Sequence, residues 1–168
     1  MAEPIAGTED YAPPAERPPL ASYAAMSASF NLAFVAALVA ADRSGRLPER
    51  IGAGDIALIG TAGHKLSRLI SKDKVTAFAR APFTRYQGAG GPGELEEEAR
   101  GSGVRRAIGE LLICPYCLGL WVVAGLTLGL MVAPRVTRVV ASVMSALTIS
   151  DFLQIAYKAA EERGLGGA

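Results

Sequence analysis

The chain has almost no excess of charge of either sign: 17 Lys and Arg against 16 Asp and Glu leave +1 over 168 residues. That excludes the overall basic field expected of a nucleic-acid binder. Only two cysteines are present, Cys114 and Cys117, which excludes a disulfide-dense secreted scaffold. A single histidine, His64, means that any metal site must draw ligands of other kinds. No internal repeat is found. The amino-terminal region also lacks the basic character of a secretory signal, carrying Glu3, Glu9, Asp10 and Glu16 against Arg17. The first apolar stretch is therefore expected to remain as a span.

What the chain does have is hydrophobic length. Residues 21–41 and 111–133 run for 21 and 23 positions without a charged side chain. About 20 apolar residues suffice to cross a hydrocarbon core of roughly 30 Å as a helix. Two such windows in a short chain leave too little sequence to cover them, which argues against a soluble bundle with two buried core helices. The fold class is therefore all-α, a small transmembrane bundle of three spans with an amphipathic fourth helix, interfacial or short.

Residues 1–20 hold five prolines and several acids and read as a disordered tail ahead of a helical membrane domain over 21–158. The first span, 21–41, has Tyr23 near one end, where interfacial aromatics are favoured, and Asn31 near its middle, which should face protein. Within 55–71, Ile56, Ile59, Ala62, Leu66, Leu69 and Ile70 recur at helical spacing, opposite Thr61, Lys65, Arg68 and Lys72. This pattern favours an interfacial or partly inserted helix over a true span. Residues 86–103, with their glycines and Glu94, Glu96, Glu97 and Glu98, read as a flexible solvated loop. A span over 111–133 follows, then a tight turn at Pro134 and Arg135. A last helix runs from Val139 to about Tyr157, and residues 159–168 form a polar tail.

Cytoplasmic loops carry the excess of Lys and Arg. If 55–71 does not cross, residues 42–110 and the C-terminal tail place 14 of the 17 basic residues on one side. If it does cross, the split is 12 to 5, with the N-terminus inside. Either way Lys65–Arg106 and the C-terminus are expected on the cytoplasmic side of a bacterial inner membrane.

The sharpest chemical signal is Cys114-Pro115-Tyr116-Cys117. The same string serves as the active site of glutaredoxins, but there it follows a strand and opens a helix inside a βαβ pattern. Here the lipid-facing sequence LGLWVVAGLTLGLMVA follows it. With Pro115 as first helical residue, Cys114 is the cap, and the helix to 133 spans about 28 Å. A thiol at a helix N-terminus gains thiolate character. On a reducing, cytoplasmic side a stable disulfide is not expected. Three readings stay open: helix-packing residues, a redox pair, and a site for zinc or another soft metal. The last would draw on Cys114, Cys117 and His64 with Glu110 or Asp151, or on two copies of the pair in a homodimer.

Asp151 lies inside an apolar helix, where an acid costs about 2.5–3.5 kcal/mol on insertion scales and normally has a partner. Cys114 is expected at comparable depth, Lys65, Arg68 or His64 can reach that layer, and Glu110 is a further candidate member. These groups form an ion-paired layer or a polar path. Lys72, Lys74, Arg80 and Arg85 are candidates for binding anionic headgroups, at about 1 kcal/mol per charge. Gly125 and Gly129 form a G-x-x-x-G that permits close helix packing.

The segments HKLSRLISKDKVTAFARAPFTRY and ELLICPYCLGLWVV together resemble the uncharacterised bacterial membrane family catalogued as domain of unknown function 1360. The matching positions are Arg68, Leu69, Ile70, Lys72, Asp73, Val75 and Thr76, then Arg80, Pro82 and Phe83. Glu110, Leu111, Leu112, Cys114, Pro115, Cys117, Gly119, Trp121 and Val122 complete them. The resemblance covers roughly residues 30–157 and leaves the proline-rich tail and the acidic loop unmatched. It implies a membrane location and no activity. The expected role is that of a non-enzymatic accessory or scaffold, with the lipid bilayer, a second copy or a membrane protein as partner. A membrane thiol or metal protein and a small transporter or channel subunit are the alternatives.

Overall fold

The computed structural model describes residues 5–8, 10–13 and 16–165. Part of the expected proline-rich tail and residues 166–168 of the expected C-terminal tail therefore lie outside the described residues. Among the described residues the chain forms six α-helices and one β-hairpin. Three helices are long and apolar enough to cross a membrane: α1 (Leu20–Arg43), α5 (Pro115–Val132) and α6 (Pro134–Leu165). Both α5 and α6 begin on a proline, whose missing N–H costs nothing in the first turn. Helix α6 continues to Leu165, so most of the expected polar tail is helical.

Between α1 and α5 lie α2 (Ala53–Lys72), a 3-10 turn (Lys74–Thr76), α3 (Ala77–Arg80), strands β1 (Thr84–Ala89) and β2 (Leu95–Ala99), and α4 (Gly103–Ile113). The amphipathic α2 is not peripheral. Its most extensive contacts are with α6 and α5. Asp55 pairs with Arg138, Leu58 O accepts from Ser145 at 3.1 Å, Thr61 O accepts from Thr148 at 3.2 Å, and Lys65 pairs with Asp151. Both numbers rise together, so α2 and α6 run parallel along most of the length of α2. Against α5 the order is reversed: Ile59 meets Leu126 in one core cluster, and Gly63 meets Val123. The amphipathic helix for which the sequence favours an interfacial or partly inserted placement is packed lengthwise against α5 and α6.

Small residues make this possible. Ile59, Ala62, Gly63, Ser67 and Ser71 are the buried stripe of α2, and a Cβ on Gly63 would lie 2.6 Å from Val123 Cγ2. The core is correspondingly compact in side-chain size: Ile59, Ala62, Leu126 and Ala141, flanked by Leu58, Val122, Leu130 and Met144. Gly129 approaches α6 in the same way, because a Cβ there would lie 2.7 Å from Thr137 Oγ1. Gly125 has open space around it, so only half of the G-x-x-x-G packs within the chain.

Helix α1 is attached through α4 and α5. The Tyr23 hydroxyl donates to Glu110 of α4, and Phe30 meets Trp121 of α5 edge-on at 4.8 Å. Its N-terminal end therefore lies at the α4–α5 junction, and it runs parallel to α5. Asn31 is exposed rather than turned to protein; its amide donates to Ser27 O in its own helix at 2.8 Å.

The segment read as a flexible acidic loop is an ordered antiparallel hairpin. Thr84 pairs with Ala99, Arg85 with Glu98 and Tyr86 with Glu97; a bulge precedes the pairs Gly88–Glu96 and Ala89–Leu95. Gly93, at φ +80°, supplies the left-handed turn residue. The glutamates were misleading because a strand alternates its faces. Glu96 and Glu98 point outward, while Glu97 points in, with a side chain only 6% exposed. The hairpin rests on α4 at Gly109, where a Cβ would meet the Phe83 carbonyl oxygen at 2.5 Å.

Candidate functional site at the ends of α2, α5 and α6

Three polar features gather at one end of the bundle. The first is the cap around Arg80. Its side chain is wholly buried, ion-paired to Glu97, and donates to Ile70 O and Thr76 Oγ1 at 2.7 Å and to Asp73 O at 3.1 Å. Thr84 Oγ1 completes the set, its single hydroxyl proton shared between Glu97 at 2.9 Å and Arg80 O at 3.0 Å. Five donors on a planar fork suit this role, because each can be satisfied by fixed carbonyls and a carboxylate. Arg80 was a candidate headgroup ligand; burial removes it from that role. Asp73, Thr76 and Arg80, all within the motif segment, instead build one buried latch. Thr84 and Glu97 are partners that sequence reasoning missed: the run of glutamates in β2 has no polar–apolar alternation to mark which one turns inward.

The second feature is a mixed-charge cavity of about 510 Å³ where the ends of α2 and α6 meet the hairpin turn. His64, Lys65, Arg68, Asp151 and Lys158 line it. Lys65 Nζ lies 2.7 Å from Asp151, which supplies the partner that an acid in an apolar helix requires. Arg68 pairs with Glu94 at 2.5 Å and Lys72 with Glu96 at 3.0 Å, both on the hairpin. Lys74 and Arg85 stand exposed on the cap. The Lys72 side chain is 20% exposed and paired with Glu96.

The third feature is the C-x-x-C itself. Cys114 breaks the chain between α4 and α5 with an extended conformation, φ −105° and ψ 100°, and caps α5. Its Sγ accepts from the Cys117 N–H at 3.1 Å, and its carbonyl accepts from Leu118 at 3.0 Å. The two sulfurs are joined as a disulfide, with Cα atoms 5.3 Å apart. The pairing shows that the two sulfurs reach one another; the expectation that no stable disulfide persists on a reducing side concerns the compartment and is separate from this geometry. One turn of helix begun at Pro115 brings residues three apart onto one face, within bonding reach. Cys117 is exposed, Cys114 half-buried and Tyr116 93% exposed.

Beside Cys117 a groove of about 400 Å³ opens between α1 and α5. Phe30, Leu120 and Trp121 form its apolar wall, and Glu110 its polar end, held by Tyr23 and by Arg106 at 2.9 Å. Glu110 thus belongs with α1, whereas His64 and Asp151 line the other cavity. Among the described residues no three of His, Cys, Asp and Glu converge into a group that could hold a metal ion. The set Cys114, Cys117, His64 with Glu110 or Asp151 is therefore not assembled within one copy.

These features define a class: a helical protein of membrane type, whose polar end carries a buried ion-pair latch and a bonded C-x-x-C. The chain belongs to the family described as "Protein of unknown function (DUF1360)", which it matches over residues 58–157. The chain is also 35% identical over 86 residues to "Sporulation protein YjcA" of Bacillus subtilis (strain 168). The shared stretch covers 49% of this chain and 73% of that protein. No solved structure matches it.

Proposed function

We propose that this chain is a multi-pass protein of the bacterial cytoplasmic membrane that acts as a non-enzymatic accessory or scaffold, packing with itself or with a membrane protein partner. The observation that carries the reading is the outward apolar surface: in the candidate spans only 6–11% of residues are buried inside the protein. On α6 alone Val139, Val143, Ile149, Phe152 and Ile155 stand exposed. Lipid is the solvent that suits such a surface, and a partner helix can replace it locally. The exposed notch at Gly125 on α5 is a place where a second helix can approach closely.

In this reading α2 crosses together with α6, despite its polar side. Lys65 is neutralised by Asp151 near one end and Asp55 by Arg138 near the other, so no unpaired charge is left in the apolar layer. Four crossings put Arg43, Arg46, Arg50, Arg135 and Arg138 on one face and the other 12 of the 17 basic residues on the opposite, cytoplasmic face. Both ends of the chain, the cap and the C-x-x-C are then cytoplasmic, where Lys74 and Arg85 meet anionic headgroups.

The test is two-fold. Alkaline carbonate should leave the protein in the membrane pellet. Reporter fusions after Ser44 and after Lys158 should report opposite sides. Release by carbonate would sink the membrane assignment, and same-side reporters would sink the four-crossing topology.

A further inference from the structure

We propose that Cys114 and Cys117 are a redox-cycling pair that exchanges its disulfide with a soluble protein dithiol at the cytoplasmic face of the membrane. This rests on the orientation argued above. The two cysteines are bonded, yet the basic-residue split puts them on the reducing side. Disulfides in such a compartment are usually transient, catalytic or redox-sensing. Access agrees with this. Cys117 is exposed and the neighbouring Tyr116 is 93% exposed, both in the first turn of α5, at the end that this orientation places at the cytoplasmic face.

The geometry also divides the work between the sulfurs. A thiolate of the incoming dithiol attacks the exposed Cys117 Sγ. The Cys114–Cys117 bond breaks, and its electron pair goes to Cys114 Sγ. That leaving sulfur is the half-buried cap of α5 and already accepts the Cys117 N–H at 3.1 Å, so the thiolate forms where a donor and the helix N-terminus favour negative charge. The second thiol of the incoming protein, on losing its proton, attacks its own sulfur in the mixed disulfide and releases Cys117 as a thiolate. The incoming protein leaves as a disulfide; this chain gains two electrons and, at equilibrium, two protons. The reverse sequence re-forms the Cys114–Cys117 bond.

The experiment uses the full chain purified in detergent, with thioredoxin as the protein dithiol. Thiol alkylation after equilibration across a series of dithiol/disulfide ratios should show both cysteines opening and closing together and reversibly. Incubation of the single variants with oxidised or activated thioredoxin should trap a mixed disulfide through Cys117 in Cys114→Ser, in about ten-fold greater yield than through Cys114 in Cys117→Ser. Alkylatable thiols at every ratio, or a bond that stays closed in excess dithiol, would overturn the proposal. Equal or reversed trapping would overturn the division of roles. Orientation is read separately, by a membrane-impermeant maleimide on intact and on lysed cells after reduction. Labelling in intact cells would refute the cytoplasmic placement while leaving exchange in detergent standing as a distinct result.

Discussion

The two halves of this molecule are held together by opposite means. In the bundle, contact between α2, α5 and α6 is made by small side chains brought close: Ala62, Gly63, Gly129 and Ala141 have little surface to bury but let helices approach. In the cap, one long charged side chain, Arg80, threads through the end of α2, α3 and the hairpin and ties them together through four hydrogen bonds, one of them to Glu97. The apolar solvent explains the division. Lipid gives the bundle no hydrophobic reason to associate, so close van der Waals packing does the holding. The cap is too small for a core of its own, and a buried, hydrogen-bonded ion pair supplies its order instead.

The largest effect that would break this comparison is in the cap. Glu97→Ala leaves Arg80 charged and unpaired inside the protein, and loss of one partner of a buried pair costs about 3–5 kcal/mol. Amide hydrogen exchange should show the hairpin and α3 losing protection while α5 and α6 keep theirs. Uniform loss everywhere would mean that cap and bundle are a single cooperative unit. Next comes the bundle seam. Gly63→Val puts methyl groups where Val123 already sits, and overpacking of this kind costs about 1–3 kcal/mol. Thermal unfolding in detergent should register it, and an unchanged midpoint would show that α2 and α5 separate freely. A smaller effect is expected at Lys65 and Asp151, whose side chains are 19% and 47% exposed. A double-mutant cycle with Lys65→Met and Asp151→Asn should give a coupling of no more than about 1 kcal/mol, because partial exposure screens the pair. The smallest is Gly125→Leu, which meets open space and should alter fold stability by within about 0.5 kcal/mol. Crosslinking in membranes should nonetheless fall if that notch receives a partner helix; a fold-level loss at Gly125 would instead place it inside the bundle.

The long elements were legible because their signal is local. Charge-free stretches over 21–41 and 111–133 announce α1 and α5, although the second stretch is divided at Cys114, with residues 111–113 ending α4 and Pro115 opening α5. The pairing of Asp151 followed from the cost of an acid in an apolar helix, and Lys65 was among its anticipated partners. The hairpin was not legible. Its strands carry glycines and glutamates that suit solvent, and only pairing with Arg80 of α3 gives one of those acids, Glu97, an inward role. Arg80 was misread for the same reason: an arginine in a basic stretch looks exposed until its partners, contributed from Ile70 to Glu97, are brought together. The thiol pair stood between these cases, since the spacing allows a bond but only the observed turn at Pro115 closes it.

The sequence alone determined the apolar helices, the turn chemistry at the prolines and the concentration of basic residues toward one end, because each depends on residues near one another in the chain. The tertiary structure decided where α2 lies, which glycines are filled by neighbours, and which glutamate is buried. Those outcomes depend on what faces each side chain across a gap, and no local pattern encodes that.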